Sequence, residues 1–169
     1  ILDWDTPVTW IDTSDMDFKE EFVGETFGRI NKEEAHLLLK ELEAYILRIG
    51  GSRILEERID FGLISPYKAQ VQYLRGKIKG SATLRPYRSL ITVNTVDGFQ
   101  GQERDVIFIS LVRANEEGQI GFLNDLRRMN VAITRARMKL VILGEAATLG
   151  HHAFYKQLLE YVKKVNGRQ

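Results

Sequence analysis

Val106-Ile107-Phe108-Ile109-Ser110-Leu111-Val112 is a nearly unbroken run of apolar and β-branched residues. A strand with one wet face alternates polar and apolar side chains. A strand without that alternation is covered on both faces, as in a parallel sheet. Leu140-Val141-Ile142-Leu143, closed by Gly144, predicts a second central strand of the same kind. Phe61-Gly62-Leu63-Ile64 predicts a shorter apolar strand, residues 90–96 alternate as another, and residues 8–11 after Pro7 alternate weakly. Helical stripes fall between these runs. Asn31 with Glu34 three residues on has capping-box spacing. Leu38, Leu42, Tyr45, Ile46 and Ile49 follow at steps of three and four until Gly50-Gly51 stops the pattern. Ser65-Pro66 predicts a hydroxyl cap and a first-turn proline, leading into a stripe of Tyr67, Val71, Leu74 and Ile78. Met129, Ala132, Ile133 and Ala136 mark a third helix; Phe154, Leu158, Tyr161, Val162 and Val165 mark a last one. Strands alternating with helices predict an α/β layer fold with a mainly parallel sheet. Residues 12–28, with Asp12, Asp15, Asp17, Glu20, Glu21 and Glu25, read as a loop or lid, not a packed element.

Composition narrows the function classes. A chain of 169 residues fits one domain, and 44% hydrophobic residues supply a real core. Net charge is +1, from 24 basic and 23 acidic residues, so any nucleic-acid surface must be a local patch. The absence of cysteine excludes disulfides and zinc–thiolate sites. His36, His151 and His152 have no metal-ligand spacing, and no metal site is predicted; the adjacent pair reads as exposed and inert. No run approaches the roughly 18 apolar residues of a membrane helix, so a cytoplasmic domain is expected. Ile1 in place of Met reads as the start of an excised fragment.

Two segments carry candidate chemistry. Thr95-Val96-Asp97-Gly98-Phe99-Gln100-Gly101-Gln102-Glu103 is a polar turn set before the buried strand. Gly98 and Gly101 permit tight backbone, the glutamines can donate to phosphate or ribose, Glu103 can accept from a hydroxyl, and Thr95 can donate to a backbone phosphate. The alternative is a plain connecting turn. Residues 127–137 carry Arg127, Arg128, Arg135 and Arg137. On one helix, Arg128 and Arg135 align within about 20° and flank the apolar stripe, where a stem can be buried while the guanidinium reaches a phosphate. The alternative is that these arginines pair with the acids of 12–25 or simply solvate the helix. Tyr67 reads as core, and Asn31 and Glu34 as caps.

Taken in order, the segments resemble the second RecA-like domain of a superfamily 1B helicase, closest to the nonsense-mediated-decay helicase group. Asn31-Lys32-Glu33-Glu34-Ala35 and Ile64-Ser65-Pro66-Tyr67-Lys68-Ala69-Gln70 are similar to family segments. Val96-Asp97-Gly98-Phe99-Gln100-Gly101-Gln102-Glu103 resembles motif V, and Arg128-Met129-Asn130-Val131-Ala132-Ile133-Thr134-Arg135-Ala136-Arg137 resembles motif VI. Arg113-Ala114-Asn115 and Gly121-Phe122-Leu123-Asn124 match the connection between them. The resemblance implies a RecA-like three-layer α/β/α domain of the P-loop NTPase superfamily over residues 1–169. The chain lacks the phosphate loop, and the resemblance implies that the domain's first segment is missing too. It implies the C-terminal motor half of an ATP-dependent DNA or RNA helicase. Arg135 would be the catalytic arginine finger. Gly101, Glu103 and Arg135 would face ATP, and Thr95 would hold the nucleic-acid backbone. ATP and Mg2+ would be held mainly by a first RecA-like domain, the partner across the cleft. Single-stranded DNA or RNA would be the other partner, with five-to-three-prime polarity. The isolated chain would be inactive. The rival expectation is an ATPase-inactive docking module for nucleic acid or protein.

Overall fold

The computed structural model describes residues 7–23 and 28–165; Glu25 of the acidic segment lies outside them. The chain opens with β1 (Val8–Asp12), β2 (Glu21–Val23), β3 (Gly28–Ile30), α1 (Lys32–Ile49) and α2 (Gly51–Glu57). It continues through β4 (Phe61–Ile64), α3 (Lys68–Lys79), β5 (Ile91–Asn94) and β6 (Arg104–Ser110). It closes with α4 (Leu126–Ile133), β7 (Ala136–Gly144), α5 (Ala146–Leu149) and α6 (Ala153–Val165). Five strands form one sheet in the order β1-β7-β6-β4-β5, every pairing parallel. β2 and β3 pair separately as an antiparallel ribbon. The expected parallel α/β fold is therefore present, with helices on both faces, as in a RecA-like domain.

Burial explains the sheet. Val106, Ile107, Phe108 and Ile109 are all fully buried, and their side chains alternate between two cores. One core gathers Leu38, Leu42, Val71, Leu74, Val106 and Phe108, bringing α1 and α3 onto one face. The other gathers Phe99, Ile107, Ile109, Met129, Ala132 and Tyr155, bringing α4 and α6 onto the opposite face. Right-handed crossovers dictate this division. The chain moves toward the β5 edge through α1 and α3, then reverses and moves back through the 95–103 connection and α4.

Several element ends differ from the sequence expectation. The pattern does not stop at Gly50-Gly51; Gly50 takes φ 96° and the chain re-enters a helix at once. α3 begins two residues past Pro66, because Tyr67 is extended. The Ser65 hydroxyl is therefore not the helix cap; it accepts the Tyr67 amide at 3.3 Å, in the turn ahead of the helix. α4 ends at Ile133, where the Thr134 hydroxyl donates to the carbonyls of Asn130 (3.1 Å) and Val131 (2.9 Å). Ala136 already belongs to β7. Arg135 and Arg137 are therefore not on the helix that carries Arg128, and the expected seven-residue alignment does not exist. In α6, Tyr155 is buried and Tyr161 exposed, which shifts the expected stripe.

The acidic segment is also more ordered than expected. Glu20 lies against the chain after β6, and its carboxylate accepts from Arg113 Nε (3.0 Å), the Ala114 amide (2.7 Å), Asn115 Nδ2 (2.9 Å) and Arg29 Nε (3.1 Å). Burial pushes it up, but the bonds from Asn115, Arg113 and the Ala114 amide hold it below the usual carboxylate range.

The return connection crosses the face of β4 at Gly62, where a Cβ would lie 2.6 Å from Ile107 Cδ1 and 2.9 Å from the Phe99 ring. Gly62→Ala should therefore cost about 1–3 kcal/mol by overpacking. Urea unfolding measures it, and an unchanged midpoint would show that Phe99 does not need that gap.

Candidate functional site

The connection from β5 to β6 spans the whole sheet. Thr95, half-buried, follows the C-terminal end of β5, its amide donating to Asn94 Oδ1 at 2.8 Å. Residues 97–99 make one tight helical turn. Gly98 lies on the Asn94 side chain, where a Cβ would come within 2.1 Å of its Cγ. Phe99 is buried, and Gly101 turns the chain at φ 77°. Gly101, Gln102 and Glu103 are exposed and lead into the N-terminal end of β6. β5 and β6 both run parallel to β4. Thr95 and the Gly101–Glu103 pair of candidates thus belong to one connection but sit at opposite ends of the strands.

Arg135 joins the second group. It is half-buried just before β7, and Arg104 of β6 pairs in register with Ala136. Its guanidinium donates to the carbonyls of Val131 (Nε, 3.1 Å) and Gln102 (Nη1, 3.3 Å) and to Thr134 Oγ1 (Nη2, 3.2 Å). Every acceptor is neutral, and no ion pair to Arg135 occurs among the described residues. Its neighbours behave otherwise. Arg128 forms a two-pronged ion pair with Asp97, tying α4 to the turn. Arg137 bridges Asp60 (3.0 Å) and Asp105 (3.1 Å), carboxylates that hold its guanidinium above its ordinary range. Among the described residues, the arginines of 127–137 do not pair with the acidic segment. Two have carboxylate partners on other elements, and Arg135 has only neutral acceptors, one of them the carbonyl of Gln102 between Gly101 and Glu103.

At the opposite end, the C-termini of β4 and β6 are adjacent while their connections leave to opposite faces. This is the switch point at which open α/β sheets hold ligands. Here the chain fills it. Asn31 caps α1 by accepting the Glu34 amide at 3.0 Å, and its Nδ2 donates to the Val112 carbonyl at 3.1 Å. Gln70 bonds both the amide and the carbonyl of Asn31, at 3.0 and 2.9 Å. Glu34 does not complete the capping box. Its Oε1 accepts from Ser110 Oγ (2.5 Å) and the Val112 amide (2.8 Å), while its buried Oε2 has no partner. Val112 has φ 72°, a conformation costly for a β-branched residue, and both of its backbone groups are held by this network. Arg113, 6% exposed, follows, donating to Tyr67 Oη at 3.2 Å. Burial would lower its proton affinity, but the Tyr67 and Glu20 bonds hold it above the ordinary arginine range. Tyr67 is thus core as expected, yet also part of the polar network.

Residues 1–147 match the protein family described as an AAA domain. The chain belongs to this AAA-domain family. It is 38% identical over 143 residues to the probable helicase MAGATAMA 3 of Arabidopsis thaliana, covering 85% of this chain and 17% of the relative. It is 39% identical over 145 residues to the DNA polymerase alpha-associated DNA helicase A of Saccharomyces cerevisiae, covering 85% and 20%. It is 38% identical over 149 residues to the regulator of nonsense transcripts 1 homolog of Drosophila melanogaster, covering 86% and 12%. The likeness to superfamily 1 helicases of the nonsense-mediated-decay group is thereby shown. The chain spans a fifth or less of these three relatives. Among the described residues, no helix is long and apolar enough to cross a membrane.

Within this AAA-domain chain, sequence reasoning missed the Asp97–Arg128 pair, Gln102 as a holder of Arg135, and the Glu20–Arg113 pair. Separations of 31, 33 and 93 residues hide all three from local patterns. His152 is half-buried instead of exposed, its Nε2 3.0 Å from the Gly118 carbonyl.

Burial raises Glu34 to about 7 from 4.5, with the nearby Glu145 charge adding to the rise against the hydrogen bonds from Ser110 and Val112. The folded state thus keeps a proton that the unfolded chain releases. Stability from this group is full below pH 4.5, falls as pH rises to about 7 and levels above it. Glu34→Gln should remove that fall, so the variant gains on the wild type between pH 5 and pH 8 in urea midpoints. An equal difference at both pH values would contradict a buried proton on Glu34.

Proposed function

We propose that this chain is the C-terminal motor half of an ATP-dependent superfamily 1 helicase acting on single-stranded DNA or RNA. One observation carries the proposal: the Arg135 guanidinium is oriented by three neutral acceptors and neutralised by none. A cation held in this way is available to an anion presented from outside the domain. Gly101 and Glu103 lie on the same loop as its Gln102 anchor. A Cβ at Gly101 would meet nothing within 4 Å, so the loop is open to an approaching nucleotide. These residues fit a triphosphate bound on a facing domain.

In that arrangement a first RecA-like domain would hold most of the ATP. Its Mg2+ would offset charge on the β- and γ-phosphates. Arg135 would stabilise charge on the transferring phosphoryl group, with Val131, Thr134 and Gln102 fixing the direction of its guanidinium. Glu103 would accept from the nucleotide's hydroxyls. Thr95, at the far end of the same connection, would hold a phosphate of the strand. The 95–103 segment would then couple nucleotide state to strand grip through its packed centre at Phe99. Contact to phosphate alone suits a motor that moves over any sequence. The switch point, occupied by the side chains of Asn31, Glu34 and Gln70, supports an ATP site completed across a domain interface.

The test is strand-stimulated ATP hydrolysis by the full-length protein, with DNA and RNA oligomers in parallel. Arg135→Ala should leave ATP binding largely intact and lower turnover by about 10³-fold or more. Near-normal turnover would refute the finger assignment. Strand binding without turnover in the wild type would favour a docking module.

A further inference from the structure

Between Asp60 and Asp97 there is no acidic residue, while Lys68, Arg75, Lys77, Lys79, Arg85 and Arg88 supply six positive charges. The remaining chain holds 18 basic and 23 acidic residues, a net −5. The near-neutral total therefore conceals a strongly polarised molecule. The basic stretch covers one edge of the sheet: α3, the turn before β5, and β5 itself, which is an edge strand. Among the described residues, none of the six cations forms an ion pair.

Their placement is linear. On α3, Lys68, Arg75 and Lys79 are spaced seven and four apart, so all three lie within about 20° of one line, roughly 10 and 6 Å apart along the axis. The line faces β5, because Arg75 donates to the Val93 carbonyl from Nε (3.0 Å) and Nη2 (2.7 Å). Arg75, Lys79 and Arg88, with Thr92 and Val93, line a groove of about 410 Å³ between α3 and β5. The upper end of the line meets the candidate strand contact. Ser65, three residues before Lys68, donates its amide to the Asn94 carbonyl (3.4 Å), immediately before Thr95.

We propose that this groove along β5, lined by Arg75, Lys79 and Arg88, holds the phosphate backbone of a nucleic-acid strand running on from Thr95. The proposal rests on the strand contact assigned above and lengthens it down the sheet edge, beyond the motif-bearing turn. Charge complementarity identifies an anionic polymer, and the edge itself selects between polymers. A peptide would dock here by adding a strand to β5, which needs the free carbonyls of that edge. Arg75 already occupies the Val93 carbonyl with two hydrogen bonds. With that carbonyl taken, what the edge offers is a row of cationic heads. Such a row matches a chain of phosphates at repeated spacing and carries no base readout.

The test compares the full-length protein with a Lys79→Gln/Arg88→Gln double variant, both side chains exposed and without hydrogen bonds among the described residues. The probes are labelled single strands of about 20 and about 6 nucleotides, the shorter reaching no further than the Thr95 end. For the longer strand, loss of two phosphate contacts should flatten the log K against log salt slope by about 1.4 and weaken binding on the order of tenfold near 0.1 M salt. The shorter strand should bind as before, and Lys79→Arg/Arg88→Lys should restore the slope. An unchanged slope and affinity for the longer strand would overturn the proposal, and an acidic peptide binding the groove in that case would reassign it to a protein. If Thr95→Ala weakens both lengths while the double variant weakens neither, the groove fails and the Thr95 contact stands. If the wild type binds neither strand, both fail.

Discussion

Burying both faces of β6 leaves its neighbours little freedom. A strand with Val106, Phe108 and Ile107, Ile109 on alternate sides needs a layer of helix against each. The chain satisfies this by travelling toward one sheet edge and then back, and the right-handed rule sends the two legs to opposite faces. The outbound helices α1 and α3 share one core, while the returning turn and α4 share the other. This is why Asp97 meets Arg128 and Gln102 meets Arg135 across more than thirty residues. The meeting of the two candidate motifs is thus a consequence of chain handedness acting on a doubly covered strand.

The same topology creates a crevice where β4 and β6 end side by side, and a crevice lined by strand ends exposes backbone groups that need partners. Asn31, Glu34, Gln70 and Ser110 supply them from within the fold. Val112 illustrates the balance. Its left-handed backbone costs on the order of 1–3 kcal/mol, and hydrogen bonds at both its amide and its carbonyl offset that cost. Burial lifts Glu34 to about 7 against the pull of those bonds, so it carries its proton over part of the physiological range. The polar core therefore fixes the path of the chain from β6 into Arg113, and Glu20 then clamps the next three residues from outside.

What could be read from the sequence divides along physical lines. Strands and helix stripes were legible because burial imposes a period, and the residues at Phe61–Ile64 and along α1 fell where that period put them. Helix ends were less legible. A single hydroxyl at Thr134 ended α4 before the apolar pattern did, and one extended residue at Tyr67 delayed α3. The placement of the candidate site was legible only as a set of residue types. Nothing periodic distinguishes Arg135, with neutral acceptors, from Arg137, two positions on and doubly paired with carboxylates. That distinction depends on Asp60 and Asp105, which reach Arg137 only because β4, β6 and β7 stand in register. Glu20 was read as part of a loose acidic loop because its partner lies 93 residues away.

Net charge illustrates the limits of a global quantity most clearly. A value of +1 suggests an electrostatically indifferent surface, yet the acids and bases are sorted by position in the sheet. At the C-terminal end of the β7 side, Asp17, Glu20, Glu116 and Glu145 line one cavity. Along β5, cations stand without a single acid in the intervening sequence. Screening confines each field to about 10 Å at ordinary salt, so the two regions do not cancel at the surface where a ligand would meet them. Arg135 follows the same logic at the scale of one residue. Its three hydrogen-bond acceptors are neutral dipoles, which orient the cation without a carboxylate bonded to it. A charge held in place but not neutralised is a property of geometry, and here the end of α4 and the loop before β6 together produce it.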